Sequence, residues 1–258
     1  MKKIIILLLA LLSCTGSYAL SIGQQADSAY NAENYRLAIE LYQKSLEEEG
    51  RSAELYYNLG NAYYRNDKPG LAVVNYERAL RIDPTDEDAK ANLEFVRNRI
   101  QDRPEDDTAF LSKVHNSILS GMTANGWAWT AFVIFLFLLG AIALYIFSTD
   151  VRLRKTGFFG GIVLMVLFVY TLVVASDSTT RSTTHNMAVV IVPGTQLSST
   201  PRAARTSADK VVTIHEGTTV EVIDSVPTPD DPVSPMWYNV KINNATKAWL
   251  RAIDVEKI

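Results

Sequence analysis

Two long apolar stretches dominate the pattern of hydrophobic and polar positions along the chain. Residues 127–147 form a run of 21 residues without a charged side chain, and residues 157–175 form a similar run of 19. A bilayer core of about 30 Å requires about 20 helical residues, because an α-helix rises about 1.5 Å per residue. Each stretch is therefore predicted to be a transmembrane helix.

The charges between these stretches predict their orientation. The loop 148–156 contains Arg152, Arg154 and Lys155. Short loops rich in lysine and arginine stay in the cytoplasm, because cationic residues resist translocation. With this loop inside, both flanking regions lie outside. The chain is thus predicted to be an exported membrane protein with its N-terminal and C-terminal domains outside; in a bacterium, the two helices would lie in the inner membrane and both domains in the periplasm.

The N-terminal pattern also indicates export. Residues 1–19 are predicted to be a signal peptide, with Lys2 and Lys3 before an apolar core and small residues leading to a cleavage site after Ala19. The alternative is a bacterial lipobox, in which Cys14 would be lipidated and become the first residue of the mature chain. Cys14 is the single cysteine, so an intramolecular disulfide is excluded.

Residues 20–103 show helical spacing that recurs with a fixed period along the chain. Residues 53–86 place small and aromatic side chains at the positions where two antiparallel helices cross. These packing positions are Tyr56, Leu59, Gly60, Tyr63, Ala72, Tyr76, Ala79 and Pro84. The spacing resembles the tetratricopeptide repeat, which implies an all-α superhelix. A weaker copy precedes it by one period, and residues 87–100 are predicted to be a closing helix.

The first helix of the complete repeat also carries candidate binding residues. Tyr57, Asn61, Tyr64 and Arg65 fall at first-helix positions that would line the concave groove of a tetratricopeptide domain. They could hold an extended peptide or a partner's helix through hydrogen bonds and aromatic contacts. The alternative is that they are polar surface and half-buried packing.

Residues 104–126 are predicted to be a juxtamembrane linker. Its first part is charged and holds Pro104, whereas the apolar residues from Phe110 to Leu119 fall at helical spacing. This second part is either a short amphipathic helix in the headgroup region or a continuation of the linker.

The pattern changes from helix to strand after a second linker, residues 176–186. Residues 187–258 contain five short β-rich runs separated by turn signals, which suggests a small barrel. The pieces VTIHEGTTVEVID, MWYNVKI and KAWLRAIDVEKI resemble the bacterial SH3-like family. Members of that family often bind cell-wall material or act as adaptors.

Composition narrows the chemistry that the chain performs. The formal net charge is −3, and residues 20–107 hold more acids than bases, which argues against nucleic-acid binding. The three histidines lie in separate segments, and neither a glycine-rich phosphate loop nor a nucleophile motif is present. The chain is therefore predicted not to be an enzyme and to use no metal or cofactor.

The complete order of segments resembles the BatE proteins of the Bacteroides aerotolerance operons. The resemblance rests on this order, on the repeat sequence YNLGNAYYRNDKPGLAVVNYERAL and on the barrel pieces quoted above. It implies partners that carry von Willebrand A domains, a MoxR-type ATPase encoded nearby, and a role in envelope integrity or oxidative stress.

Two functions follow from these segments as hypotheses. The first is a membrane-anchored scaffold that binds exported or membrane proteins through the repeats, with the barrel as a second contact. The alternative is an envelope anchor or sensor whose barrel binds peptidoglycan. A channel or transporter subunit is disfavoured, because the two apolar stretches carry no charged residue.

Overall fold

The computed structural model describes residues 20–100, 110–184, 186–203, 209–228, 234–242 and 246–258. The predicted signal peptide, Cys14 and residues 101–109 of the predicted linker lie outside the described residues. The helices are α1 (Ile22–Asn31), α2 (Tyr35–Glu48), α3 (Ala53–Arg65), α4 (Pro69–Ile82), α5 (Glu87–Arg97), α6 (Phe110–Leu119), α7 (Ala124–Phe147) and α8 (Val151–Thr183). The strands are β1 (Met187–Val190), β2 (Thr195–Ser198), β3 (Lys210–Ile214), β4 (Thr219–Pro227), β5 (Met236–Lys241), β6 (Lys247–Arg251) and β7 (Val255–Lys257).

Helices α1 to α5 form two helical hairpins and a closing helix, as the repeat period predicts. Short polar side chains cap the N-termini of most of these helices. Ser21 forms a capping box with Gln24, and Ser52 accepts a hydrogen bond from the amide of Leu55. Helix α4 instead begins with Pro69, whose fixed φ suits the first helical position. The boundaries therefore follow from local chemistry.

Helices α7 and α8 pack against each other as an antiparallel hairpin. Both are long and apolar enough to span a membrane. Helix α8 is longer than the predicted apolar stretch, because Asp150 caps its start and the helix takes in Val151 to Thr156 of the predicted loop. It also continues to Thr183, where Thr179, Thr180 and Thr183 bond their hydroxyls to carbonyls four residues earlier.

The C-terminal region is an antiparallel sheet with the strand order β3-β2-β6-β5-β4-β1-β7. The five predicted runs are strands, and the short strands β2 and β7 add to them. Strands β3 and β7 lie at opposite edges of the described sheet and do not pair with each other. The sheet is therefore not closed, in contrast to the predicted barrel, because each edge strand pairs on one side only.

The sheet packs directly against the second repeat. Val73 and Val74 of α4 are buried together with Val96 of α5, Val189 of β1 and Ile258. Burial of one valine side chain contributes about 1.5 kcal/mol or more. This shared apolar cluster therefore makes the repeats and the sheet one packed body.

Polar contacts surround this apolar cluster. The Arg78 side chain donates hydrogen bonds to the carboxylate of Glu256 at 2.7 Å and to the carbonyl oxygen of Lys257 at 2.6 Å. On the other side, the backbone amide of Gly70 donates to the Glu216 carboxylate at 3.0 Å. These contacts, at the start of α4 and in its second half, thus fix the sheet on this helix.

Candidate partner-binding groove

The four predicted groove residues lie on α3, beside α1 of the first repeat and the closing helix α5. Tyr57, Asn61 and Tyr64 are half-buried, and Arg65 is exposed. Tyr57 and Asn61 contact α5 directly, since both accept hydrogen bonds from the Asn92 amide, at 3.2 and 2.9 Å. The structure therefore brings the predicted residues together with side chains of the closing helix.

Asn61 uses only part of its side chain for the fold. Its amide oxygen accepts from the Tyr76 hydroxyl at 2.7 Å and from Asn92. Among the described residues, its amide nitrogen has no hydrogen-bond partner, and it is not one of the buried unpaired atoms. One half of the amide thus supports the repeat, and the other half remains open to water as a donor.

The first repeat contains the same arrangement one period earlier. The Tyr42 hydroxyl donates to the Asp27 carboxylate at 2.6 Å, as Tyr76 donates to Asn61. Asn58 then approaches Asp27 at 3.4 Å from the next repeat. The acceptor at this position therefore joins the two helices of its own repeat to the first helix of the next one.

The remaining two groove residues take part in aromatic contacts. The Tyr64 ring lies edge-on to Phe95 at 5.7 Å, and the Arg99 guanidinium stacks on Phe95 at 4.0 Å. Arg99 also donates to the Tyr64 hydroxyl. Arg65 lies over the Tyr35 ring at 4.9 Å. These contacts hold the side chains in place without burying them.

The predicted packing positions lie between the two helices of the repeat. Leu59, Gly60, Ala72, Tyr76 and Ala79 are buried. Tyr56, Tyr63 and Pro84 are half-buried at the margin. A Cβ atom added to Gly60 would lie 2.8 Å from two ring atoms of Tyr76, which explains why the crossing requires a very small residue.

Burial raises the pKa values of the Tyr76 and Tyr42 hydroxyls. Loss of hydration raises the pKa of Tyr76, and the neighbouring Tyr57 raises it further. Burial also raises the pKa of Tyr42, as does its hydrogen bond to Asp27. Both hydroxyls therefore stay protonated and act as donors at physiological pH.

Helix α5 supplies groove residues that the sequence reasoning did not name: Asn92, Phe95 and Arg99. Asn92 lies one repeat period after Asn58, and Phe95 lies one period after Asn61. Extending the repeat period into the closing helix would have identified Asn92 and Phe95 from the sequence. Phe95 is 46% exposed, so it adds an apolar surface beside the amides.

The three predicted topology residues lie on α8 and are not part of the groove. Arg152, Arg154 and Lys155 occupy the first turns of α8, next to the connection from α7. Arg154 stacks on the Tyr145 ring at 5.6 Å. The positive charges therefore gather where the apolar hairpin turns.

Comparison with known proteins agrees with the helical geometry. The tetratricopeptide repeat family matches residues 53–86. The chain therefore contains a tetratricopeptide repeat. This match suggests a role in protein–protein interaction, because such domains generally bind other proteins. No curated protein matches the chain. Within the described residues, no cluster of three or more histidine, cysteine, aspartate or glutamate side chains could hold a metal ion.

Proposed function

We propose that the chain is a non-enzymatic, membrane-anchored scaffold whose repeats bind another protein. The observation that carries the proposal is the Asn61 side chain, whose amide oxygen is held by Tyr76 and Asn92 while its nitrogen remains available. A donor fixed in this way suits a backbone carbonyl or a polar side chain of a partner. Phe95 and Tyr64 supply apolar surface beside it.

The helical hairpin supports the anchoring part of the proposal. Helices α7 and α8 have the length and hydropathy of membrane spans. The cationic turn at Arg152, Arg154 and Lys155 favours a cytoplasmic location for that end. The repeats and the sheet, which contact each other near the other end, would then lie in the periplasm of a bacterial envelope.

The identity of the partners is proposed from the resemblance to BatE proteins. It points to proteins with von Willebrand A domains, in an envelope complex linked to aerotolerance or stress resistance. The sheet would then be an SH3-like domain that adds a second contact. Peptidoglycan binding by this sheet is the alternative function.

In-cell crosslinking followed by mass spectrometry tests the scaffold proposal. Deletion of the repeats is unsuitable, because it would expose Val189 and the other sheet residues that pack on α4. The better variant is Asn61→Asp, since Asp27 shows that a carboxylate can accept the same hydrogen bonds. This variant removes the amide donor and should retain the fold.

Lys44→Ala serves as the control, because this exposed residue on α2 makes only a surface ion pair with Glu48. We expect Asn61→Asp to lose a discrete set of membrane or exported proteins that the control retains. An unchanged set of partners would refute binding through Asn61. Crosslinks to cell-wall fragments alone in the unsubstituted chain would favour the peptidoglycan alternative.

A further inference from the structure

A cavity of about 490 Å³ lies where the second repeat meets the ends of α7 and α8 that are remote from their connection. Four arginines line it: Arg51 after α2, Arg78 and Arg81 on α4, and Arg181 near the end of α8. No aspartate or glutamate side chain is among the described residues that line it. Arg78 is paired with the Glu256 carboxylate, and Arg81 bonds to the main-chain oxygen of Ile258, so the excess positive charge of the cavity comes mainly from Arg51 and Arg181.

Two of these arginines are held in place by the C-terminal strand region. Arg78 bonds to the Glu256 carboxylate and to the carbonyl oxygen of Lys257. Arg81 donates to the main-chain oxygen of Ile258. These bonds orient both guanidinium groups before any ligand arrives, which lowers the entropy that binding would cost.

The other two arginines remain available for a ligand. Arg51 and Arg181 are exposed, and neither makes an ion pair or a side-chain hydrogen bond with any residue that the structure describes. Burial lowers the pKa of Arg81, Glu77 opposes this effect, and the charges of Arg78 and Arg181 lower the pKa further. The guanidinium groups thus repel one another, and a bound anion would relieve that repulsion.

A helix N-terminus adds to the attraction for an anion. Ala124 and Asn125, the first two residues of α7, also line the cavity. Thr123 caps the amide of Gly126, while the first amides of a helix have no partner within the helix. The first turn contains no acidic residue. The positive end of the α7 dipole therefore points to the same place as the arginines.

We infer that this cavity binds a phosphate group, presented either by an anionic phospholipid headgroup or by a small soluble phosphate ester. Guanidinium groups bind phosphate through paired, charge-assisted hydrogen bonds. Leu119 and Ile82 give the cavity an apolar side that suits the glycerol or acyl part of a lipid. Only the lipid source rests on the proposed membrane anchoring, because the soluble source requires no bilayer.

Binding measurements on the full chain in a neutral, phosphate-free detergent test the inference. The probes are short-chain phosphatidylglycerol, followed by native mass spectrometry, and glycerol 3-phosphate, followed by calorimetry. We expect saturable binding of at least one probe. The double variant Arg51→Gln/Arg181→Gln should bind it about tenfold more weakly or worse, since hydrogen bonds to charged groups are among the strongest.

Arg36→Gln is the matched control, because Arg36 is an exposed arginine on α2 away from the cavity. Binding of phosphatidylglycerol alone would identify a lipid site, and binding of both probes would identify a general phosphate site. The inference is wrong if neither probe binds, or if the double variant binds like the control. Partner crosslinking through Asn61 is a separate measurement, so the two proposals can fail independently.

Discussion

Substitution of Asn61 separates its structural contribution from its proposed binding role. Asn61→Ala removes the acceptor for the Tyr76 hydroxyl and for the Asn92 amide. Asn61→Asp keeps an oxygen at the same place and removes only the amide donor. The first repeat already carries an aspartate at this position, Asp27, which accepts from Tyr42 at 2.6 Å. The two variants should therefore differ in stability.

The size of this difference follows from the burial of the two donors. Tyr76 is 2% exposed, so its hydroxyl has little access to water once Asn61 is truncated. A buried donor left without a partner costs about 1–3 kcal/mol. Asn92 is half-buried and can bond to water instead, so loss of its hydrogen bond to Asn61 costs less free energy. We expect Asn61→Ala to destabilise the second repeat by about 2 kcal/mol and Asn61→Asp by less than about 1 kcal/mol.

Hydrogen exchange of the full chain in detergent measures this difference locally. A loss of about 2 kcal/mol corresponds to about 30-fold faster exchange of the amides of α3 and α4 that exchange by local opening. The amides of α7 should exchange as before, because Asn61 does not contact the helical hairpin. Equal exchange in the alanine and aspartate variants would refute the structural role of the Asn61 oxygen.

Three further predictions concern other contacts of the fold. Gly157→Leu should lower the thermal unfolding midpoint in detergent, because a Cβ there would lie 2.8 Å from the α7 backbone; Gly160→Leu should not, since nothing lies within 4 Å. Val189→Ala should cost about 2 kcal/mol and speed hydrogen exchange in α4, whereas Val211→Ala at an exposed sheet position should leave α4 unchanged. The pKa of Glu49 is lowered by hydrogen bonds from the Ser45 hydroxyl and from amides of α1. Glu49 therefore stabilises the fold at pH values above its pKa in the unfolded chain. This stabilisation is lost as the pH falls through its lower pKa in the folded chain. We therefore expect the melting temperature, followed by circular dichroism, to fall less at low pH in Glu49→Gln than in the unsubstituted chain.

The helical part of the fold could be predicted because its signals are local and periodic. The spacing of Gly60 and Tyr76 identifies the helix crossing, and the repeat period carries the same geometry to Asp27 and Tyr42. The short strands β2 and β7 were missed because their sequences, TQLS and VEK, are not runs of apolar β-forming residues, whereas the equally short β1 reads MAVV. Their pairing depends on long-range partners such as Trp249.

The packing of the sheet on α4 was equally invisible in the sequence. Val73 and Val74 occupy helix positions outside the repeat pattern, so nothing in the spacing indicates what covers them. The same holds for the arginine-lined cavity, whose members come from segments as far apart in the chain as Arg51 and Arg181. Sites assembled from distant segments require the tertiary structure, whereas a groove on consecutive repeats does not.

The sheet also resolves a difficulty that the sequence raises about the repeats. Two repeats and a closing helix are few for this type of fold, because each unit buries its apolar face only against its neighbours. The sheet supplies the missing neighbour, because Val189 and Ile258 pack with Val73 and Val74 of α4 in one buried cluster. The sheet region also reaches the margin of the groove, where Pro193, His215 and Glu216 line a cavity together with Tyr64 and Arg65. The C-terminal region therefore stabilises the repeats through this packing, so loss of partner binding on deleting the sheet would not by itself make the sheet the binding site.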